Sequence, residues 1–382
     1  MQLIRCLFMA VSIIFLLTGK VFAQDVSVGL MNRKTISSLL FSPNSDKYFL
    51  LIEDGDTIYR FKSDDAISIE VIENQLLVKS PYGLKDTLSS VKIIGAGNSP
   101  GFRIRFNDDK KDYSYSDKLS VSVWKGALKI VNDVSVERYV AKVVQSEVGY
   151  GAAEEYYKIQ SIICRTYAVR NLIRHAVDGY DLCDHEHCQV YSGLKSASNE
   201  VMKATSATSG LVMVDTKNEL ILSAFHANCG GQTANSEDVW RESRTYLTSV
   251  EDTFCLQSRS AVWDKTMPVN EFITQLGFAT NTADLGDWSF NQADRKKYFT
   301  LKTDSVETAQ MRRLLRLRST YFDLKIKDSS VEFFGRGYGH GVGLCQQGAM
   351  KMAESGYTYS QILGYYYKGV SLIPMTSLQP VK

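Results

Sequence analysis

The sequence predicts an α+β fold, with a β-rich N-terminal accessory domain at 24–114 followed by a mixed α/β domain at 115–382. Two observations carry that prediction. Up to about residue 130 the apolar residues fall in short β-forming runs broken by turn residues, as in "KYFLLIEDGDTIYRF", "ISIEVIENQLLVKSP" and "KLSVSVWKGALKIVN". From about residue 135 the spacing changes to that of helices, and strands and helices are mixed from there on.

The first 23 residues stand apart from both regions. Arg5 precedes an apolar run from Leu7 to Leu17, and Val21-Phe22-Ala23 supplies a small-residue cleavage site. This is the pattern of a secretory signal peptide at 1–23, too short and wrongly flanked for a stable membrane span. Cleavage after Ala23 removes Arg5, Lys20 and Cys6, which takes the formal charge from +2 to neutral and leaves one cysteine fewer than the 7 of the full chain. A neutral chain without long basic runs argues against nucleic acid as a partner, because phosphate binding needs clustered Lys and Arg. No later apolar run approaches membrane-spanning length. A periplasmic or extracellular protein is expected.

In the β-rich region "WKG" sits between two β runs as a hairpin turn, and the charged "DDKKDYSYSD" marks the domain boundary. The helical part opens with Ser135 as N-cap. Val136, Tyr139, Val140, Val143 and Val144 then follow at steps of three and one, which is one buried helix face. Glu147 is the next member of that series, so a carboxylate is carried to the end of an apolar stripe. After the "GYG" break a second helix of about twenty residues is expected, with a stripe through Tyr156, Ile159, Gln160, Ile163, Cys164, Tyr167, Ala168 and Leu172, ending at His175. Beyond it, "SGLVMVD", "LILSAFHA", "FDLKIKD" and "VEFFGRG" read as strands, and 269–276, 306–315 and 346–366 as helices.

The stretch "CDHEHCQVYSG" at 183–193 packs two cysteines and two histidines into six residues. Thiolate and neutral imidazole are the ligands zinc prefers, and four of them close a structural tetrahedral site. Cys183, His187 and Cys188 are three ligands, with His175 at the expected helix end as the fourth and His185 as its competitor. A Cys183–Cys188 disulfide is the other reading that export permits. Cys229 and Cys255 form a second pair that a disulfide could staple. Cys164 falls on a buried stripe and reads as core, and Cys345 as a small packed side chain in a Gly-rich loop.

Six fragments in order, "VERYVAKVVQSEV", "KIQSIICRTYAVRN", "CQVYSG", "FHANCGGQTA...VW", "RLRSTYF" and "GRGYGHGVGLCQQGAMKMAESGYTYSQILGYYYKGV", resemble the domain shared by stage II sporulation protein D and the amidase enhancer LytB, over roughly 116–372. The resemblance implies a catalytic domain with a glycan-binding cleft, in a peptidoglycan lytic transglycosylase that favours glycan strands stripped of stem peptides. It makes Glu147 the catalytic acid and the metal a structural zinc. It also implies a cell-wall amidase as a partner, since enhancer members are described by their effect on one. One departure is Cys345-Gln346-Gln347, where the family more often has Ser-Gln-Tyr.

Hydrolysis of a glycosidic bond usually takes two carboxylates. A lytic transglycosylase can manage with one, because the sugar's own 6-hydroxyl attacks the anomeric carbon and leaves a 1,6-anhydro end. That acid must be protonated near neutrality, and the apolar neighbours Val143 and Val144 push Glu147 that way. Gln160, Arg165, Gln189, Tyr191, His226, His340 and Gln346 are candidate substrate contacts. Gln189 and Tyr191 emerge from the metal loop, and His226 and His340 flank glycine-rich backbone, with five glycines in the nine residues "GRGYGHGVG". A non-catalytic amidase enhancer or glycan-binding protein is the alternative. A zinc hydrolase cutting the sugar–peptide amide would need an open metal position, which four protein ligands do not leave.

Overall fold

A computed structural model describes residues 25–378, apart from 45–47, 52–54, 62–64, 96–99, 107–108, 195 and 281–286. The expected signal peptide at 1–23 lies outside the described residues. Helices and many strands in several sheets make the fold α+β, as the sequence predicts.

Two sheets, antiparallel except where Leu182–Cys183 joins Asp25–Leu30 in parallel, dominate the first 135 residues. Strands Ser38–Pro43, Ile67–Ile72, Gln75–Lys79, Lys85–Leu88, Gly101–Phe106 and Tyr113–Ser116 form one of six strands. Strands Asp25–Leu30, Tyr48–Leu51, Thr57–Arg60, Ser90–Gly95, Lys118–Trp124, Ala127–Ser135 and Leu182–Cys183 form one of seven. Alternate residues point inward from both, and Phe41 of the first sheet meets Tyr48 of the second with ring centroids 5.8 Å apart, as in a sandwich. Strands on both sides of residue 114 share the seven-stranded sheet, so sheet pairing runs across that position. The "WKG" hairpin forms as expected, with Lys125 and Gly126 both at positive φ, which matches the twist of the flanking strands.

The helices, in chain order, are α1 (Val136–Val148), α2 (Glu154–Arg170), α3 (Asn199–Ala207), α4 (Ser236–Val239), α5 (Val269–Leu276), α6 (Thr308–Leu314), α7 (Gln346–Glu354) and α8 (Tyr359–Tyr366). The predicted stripe of α1 is wholly buried. α2 is buried on both sides: Tyr157, Cys164 and Ala168 face the β-rich core, while Tyr156, Ile159, Ile162 and Ile163 face a second core built from the C-terminal half. It is shorter than the sequence suggested. The Asn171 side chain bonds the Tyr167 carbonyl and ends the helix, leaving His175 in the turns that follow. The expected 346–366 helix is two, because Gly356 at φ 89° breaks it and Thr358 with Gln361 forms a capping box that restarts it. α3 was not anticipated, although Ser198 caps it by accepting from the Val201 N–H. Of "LILSAFHA" only Phe225–His226 is strand.

A third core belongs to the four-stranded sheet of Val262–Pro268, Ser330–Arg336, Tyr321–Lys327 and Trp288–Phe290 with α5 and α6. Its last strand runs into the Gly-rich loop, which returns as Leu344–Cys345, parallel to Phe225–His226. At Gly343 φ is 73°, and a Cβ there would stand 2.1 Å from the Ala224 carbonyl oxygen. Gly343→Ala is expected to cost at least 1–3 kcal/mol, roughly the strain of a non-glycine residue in that region, with the clash in addition. Denaturant midpoints of the two proteins measure it.

Candidate functional site

Glu147 lies one residue before the end of α1, half-buried. Its Oε1 accepts the Val190 N–H at 3.3 Å. Burial raises its pKa above the ordinary carboxylate value, and the Val190 N–H opposes part of that rise. The carboxyl opens into a cleft of about 450 Å³, lined also by Gln189, Trp240, His340, Phe225 and the 186–188 loop. The helix end, the Cys/His loop and His340 of the Gly-rich loop therefore line one cleft.

The Cys/His loop is fixed by the N-terminal strand. Gly29 pairs with Cys183, the Asp181 carboxylate accepts the Ser27 N–H at 2.8 Å, and that of Asp184 accepts the Met31 N–H at 2.9 Å. Within this frame the ligand atoms of His175, Cys183, His187 and Cys188 all lie within 4.8 Å of one another. His187 Nδ1 stands 3.7 Å from the Cys183 sulfur and 3.8 Å from the Cys188 sulfur. His175 Nδ1 is held by Asp178 at 3.0 Å, while its Nε2 is buried with no hydrogen-bond partner. An imidazole oriented through one nitrogen and bare at the other is how metal-ligating histidines are set, so these residues fit a metal ion. His185 is turned away, its Nδ1 accepting the His187 N–H at 3.2 Å.

The remaining predicted contacts divide. Gln189 lines the cleft, where its amide oxygen accepts from the Tyr139 hydroxyl at 3.2 Å. His340 lines it too; its Nδ1 accepts the Val342 N–H at 3.0 Å, and burial lowers its pKa to about 4, so the ring is neutral near pH 7. His226 packs behind it with centroids 5.6 Å apart and donates through Nδ1 to the Val342 carbonyl. It is buried and holds the backbone of the Gly-rich loop from within.

The other four expected contacts are hydrogen-bonded within the fold. Gln160 is fully buried on α2 and donates to the Tyr156 hydroxyl at 3.0 Å. Gln346, first residue of α7, is hydrogen-bonded at the same Tyr156. Tyr191 stacks on Tyr139 and donates to Asn132 Oδ1 at 2.8 Å; it borders a separate cavity lined also by Met31, Tyr115 and Asp184. Arg165 is fully buried and forks onto Glu137 at 2.8 and 2.6 Å, with further bonds to the Leu211 and Thr205 carbonyls. Arg165→Ala is expected to cost about 3 kcal/mol or more, the typical result of breaking a buried pair from one side, read as a shift in thermal midpoint with the cleft geometry intact.

Sequence reasoning passed over Trp240, whose ring lies 5.2 Å from that of His340 in the cleft wall. The signal was present in "SEDVW", an aromatic directly after a short polar helix. Arg312, Arg313 and Arg316 were also missed; they line a neighbouring cavity of about 600 Å³ that shares Trp240 and His340 with the cleft. Their charges sit on one side of α6 and the turn after it, a pattern that reads as an ordinary solvated face.

Residues 124–214 match the family model described as Stage II sporulation protein. The chain is 27% identical to stage II sporulation protein D of Bacillus subtilis (strain 168), over 66% of this chain and 79% of that protein. It is 27% identical to an uncharacterized protein of Brachyspira hyodysenteriae over 82% of this chain and 86% of that protein. It is 28% identical to the amidase enhancer of Bacillus subtilis (strain 168), over 60% of this chain but 39% of that protein. The matched segment runs from the β hairpin through α1, Glu147, α2 and the Cys/His loop to the strand after α3. The resemblance read from the sequence is thereby borne out: the chain is similar to stage II sporulation protein D and to the amidase enhancer, and its family match lies in residues 124–214.

Proposed function

We propose that this protein is an exported lytic transglycosylase that cleaves peptidoglycan glycan strands to 1,6-anhydro ends, with Glu147 as general acid and then base. The observation that carries the proposal is Glu147 itself, a carboxyl desolvated at a helix end, opening into a cleft and shifted toward its protonated form. A proton on that carboxyl can be given to the glycosidic oxygen; the resulting carboxylate can then take the proton of the attacking 6-hydroxyl. The names of the relatives support the coarser statement of a cell-wall role.

His175, Cys183, His187 and Cys188 would hold a zinc ion. Four protein ligands make such an ion structural, supplying folding energy to the loop that carries Gln189 and the Val190 N–H. Trp240 offers an aromatic face to a sugar ring. The Arg312, Arg313 and Arg316 cavity beside it suits the free lactyl carboxylates that stripped strands expose.

The test is mass spectrometry of stripped and peptide-bearing glycan strands after incubation with the protein. Anhydro-ended fragments from stripped strands support the proposal. Intact strands of both kinds, with a folded protein that binds glycan, would instead assign the enhancer or binding role suggested by the amidase-enhancer relative.

A further inference from the structure

We infer that Cys229, Asp252, Cys255 and Cys345 form a second, fully buried metal site that locks the wall of the cleft opposite Glu147's helix. Their ligand atoms lie within 4.8 Å of one another, and all four residues are at most 1% exposed. Cys229 Sγ stands 3.4 Å from Cys255 Sγ and 3.2 Å from Asp252 Oδ2. Ligand atoms around a tetrahedral zinc stand roughly 3.3–3.8 Å apart, as bond lengths of about 2.0–2.3 Å require.

The surroundings are prepared for anionic donors. The Cys345 sulfur caps α7, accepting the Gly348 N–H at 3.4 Å, and accepts the Cys229 N–H at 3.3 Å as well. Thiolates are favoured at such helix starts. Asp252 is oriented through both oxygens: Oδ1 accepts the Phe254 N–H at 3.0 Å, and Oδ2 accepts the Tyr366 hydroxyl at 2.9 Å while facing the sulfurs. Gly348 is required by this packing, because a Cβ there would meet Asp252 Oδ2 at 2.1 Å.

A Cys229–Cys255 disulfide, the pairing the sequence leaves open, would use two sulfurs and give no role to the third or to the carboxylate aimed at them. In the structure all three cysteines are free thiols. Three sulfurs and one carboxylate oxygen complete a tetrahedral set, and thiolate-rich donors select zinc over hard cations. With no open position the ion is structural. It would tie the loop after Phe225–His226, the 252–255 turn and the start of α7 into one unit, directly behind His226 and the Gly-rich loop.

The test is zinc counting on the mature chain by native and elemental mass spectrometry, with zinc-edge absorption spectroscopy. Two zinc ions per wild-type chain are expected. Cys183→Ser should leave one, with sulfur-rich coordination; Cys345→Ser and Asp252→Asn should each leave the other. The half-exposed His/Cys ion should yield to a chelator in the folded protein, and the buried one only on unfolding. If Cys345→Ser does not fold, the Cys183→Ser chain decides alone. A Cys183→Ser chain without zinc overturns the inference, whether Cys229 and Cys255 are then cross-linked or free.

Discussion

Replacing Glu147 by glutamine is expected to lower the release of anhydro-ended fragments by roughly 10²–10⁴-fold, the usual contribution of a positioned acid–base group, while glycan binding persists. Glutamine keeps the shape and an oxygen for the Val190 N–H but cannot give up a proton. The pH dependence carries a sign. Burial raises the folded pKa, so the protonated acid persists to higher pH than an exposed glutamate would allow, and activity should fall as pH rises through that value. The same shift means that the folded chain binds the extra proton more tightly, so the wild type loses stability as pH rises from the unfolded to the folded pKa. Above that window the Glu147→Gln protein should be at least as heat-stable as the wild type. A variant both inactive and markedly destabilised at neutral pH would make Glu147 a structural residue.

Stripping the metal proposed at His175, Cys183, His187 and Cys188 is the second large effect. Removing a closed structural zinc should lower the thermal midpoint on the order of 10 °C and abolish cleavage with it. The loop it folds presents Gln189 and the Val190 N–H to Glu147. Calorimetry and strand cleavage with and without chelator, and with Cys188→Ser, measure both effects. An unchanged midpoint with lost activity would place the metal in the chemistry instead, and no change in either would leave the loop self-supporting.

Local chemistry made part of this legible in advance. The α1 stripe leads to Glu147 because helical period alone places that side chain after Val143 and Val144, and the structure buries that stripe. The cluster of His175 with the 183–188 residues was legible from donor type and spacing. What sequence could not give was the direction in which a buried polar side chain is satisfied. Gln160 and Arg165 sit on α2, whose two faces are both interior, so their polar groups were bound to serve packing. Only the pairing of that helix with two cores reveals it. Cys229, Asp252, Cys255 and Cys345 are likewise separated along the chain and converge only when two parallel strands and a helix start are assembled.

The pairing of Asp25–Leu30 with both Ala127–Ser135 and Leu182–Cys183 has a kinetic consequence. Asp25–Leu30 pairs with strands made well after it, contacts that are far apart in sequence and therefore slow to form. The Cys183 ligand is presented only once that pairing is complete. Metal capture at this loop, as proposed, would then act as a maturation checkpoint: until the β-rich half has folded, Cys183 and the other proposed ligands stay apart, and the proposed cleavage competence would arrive last.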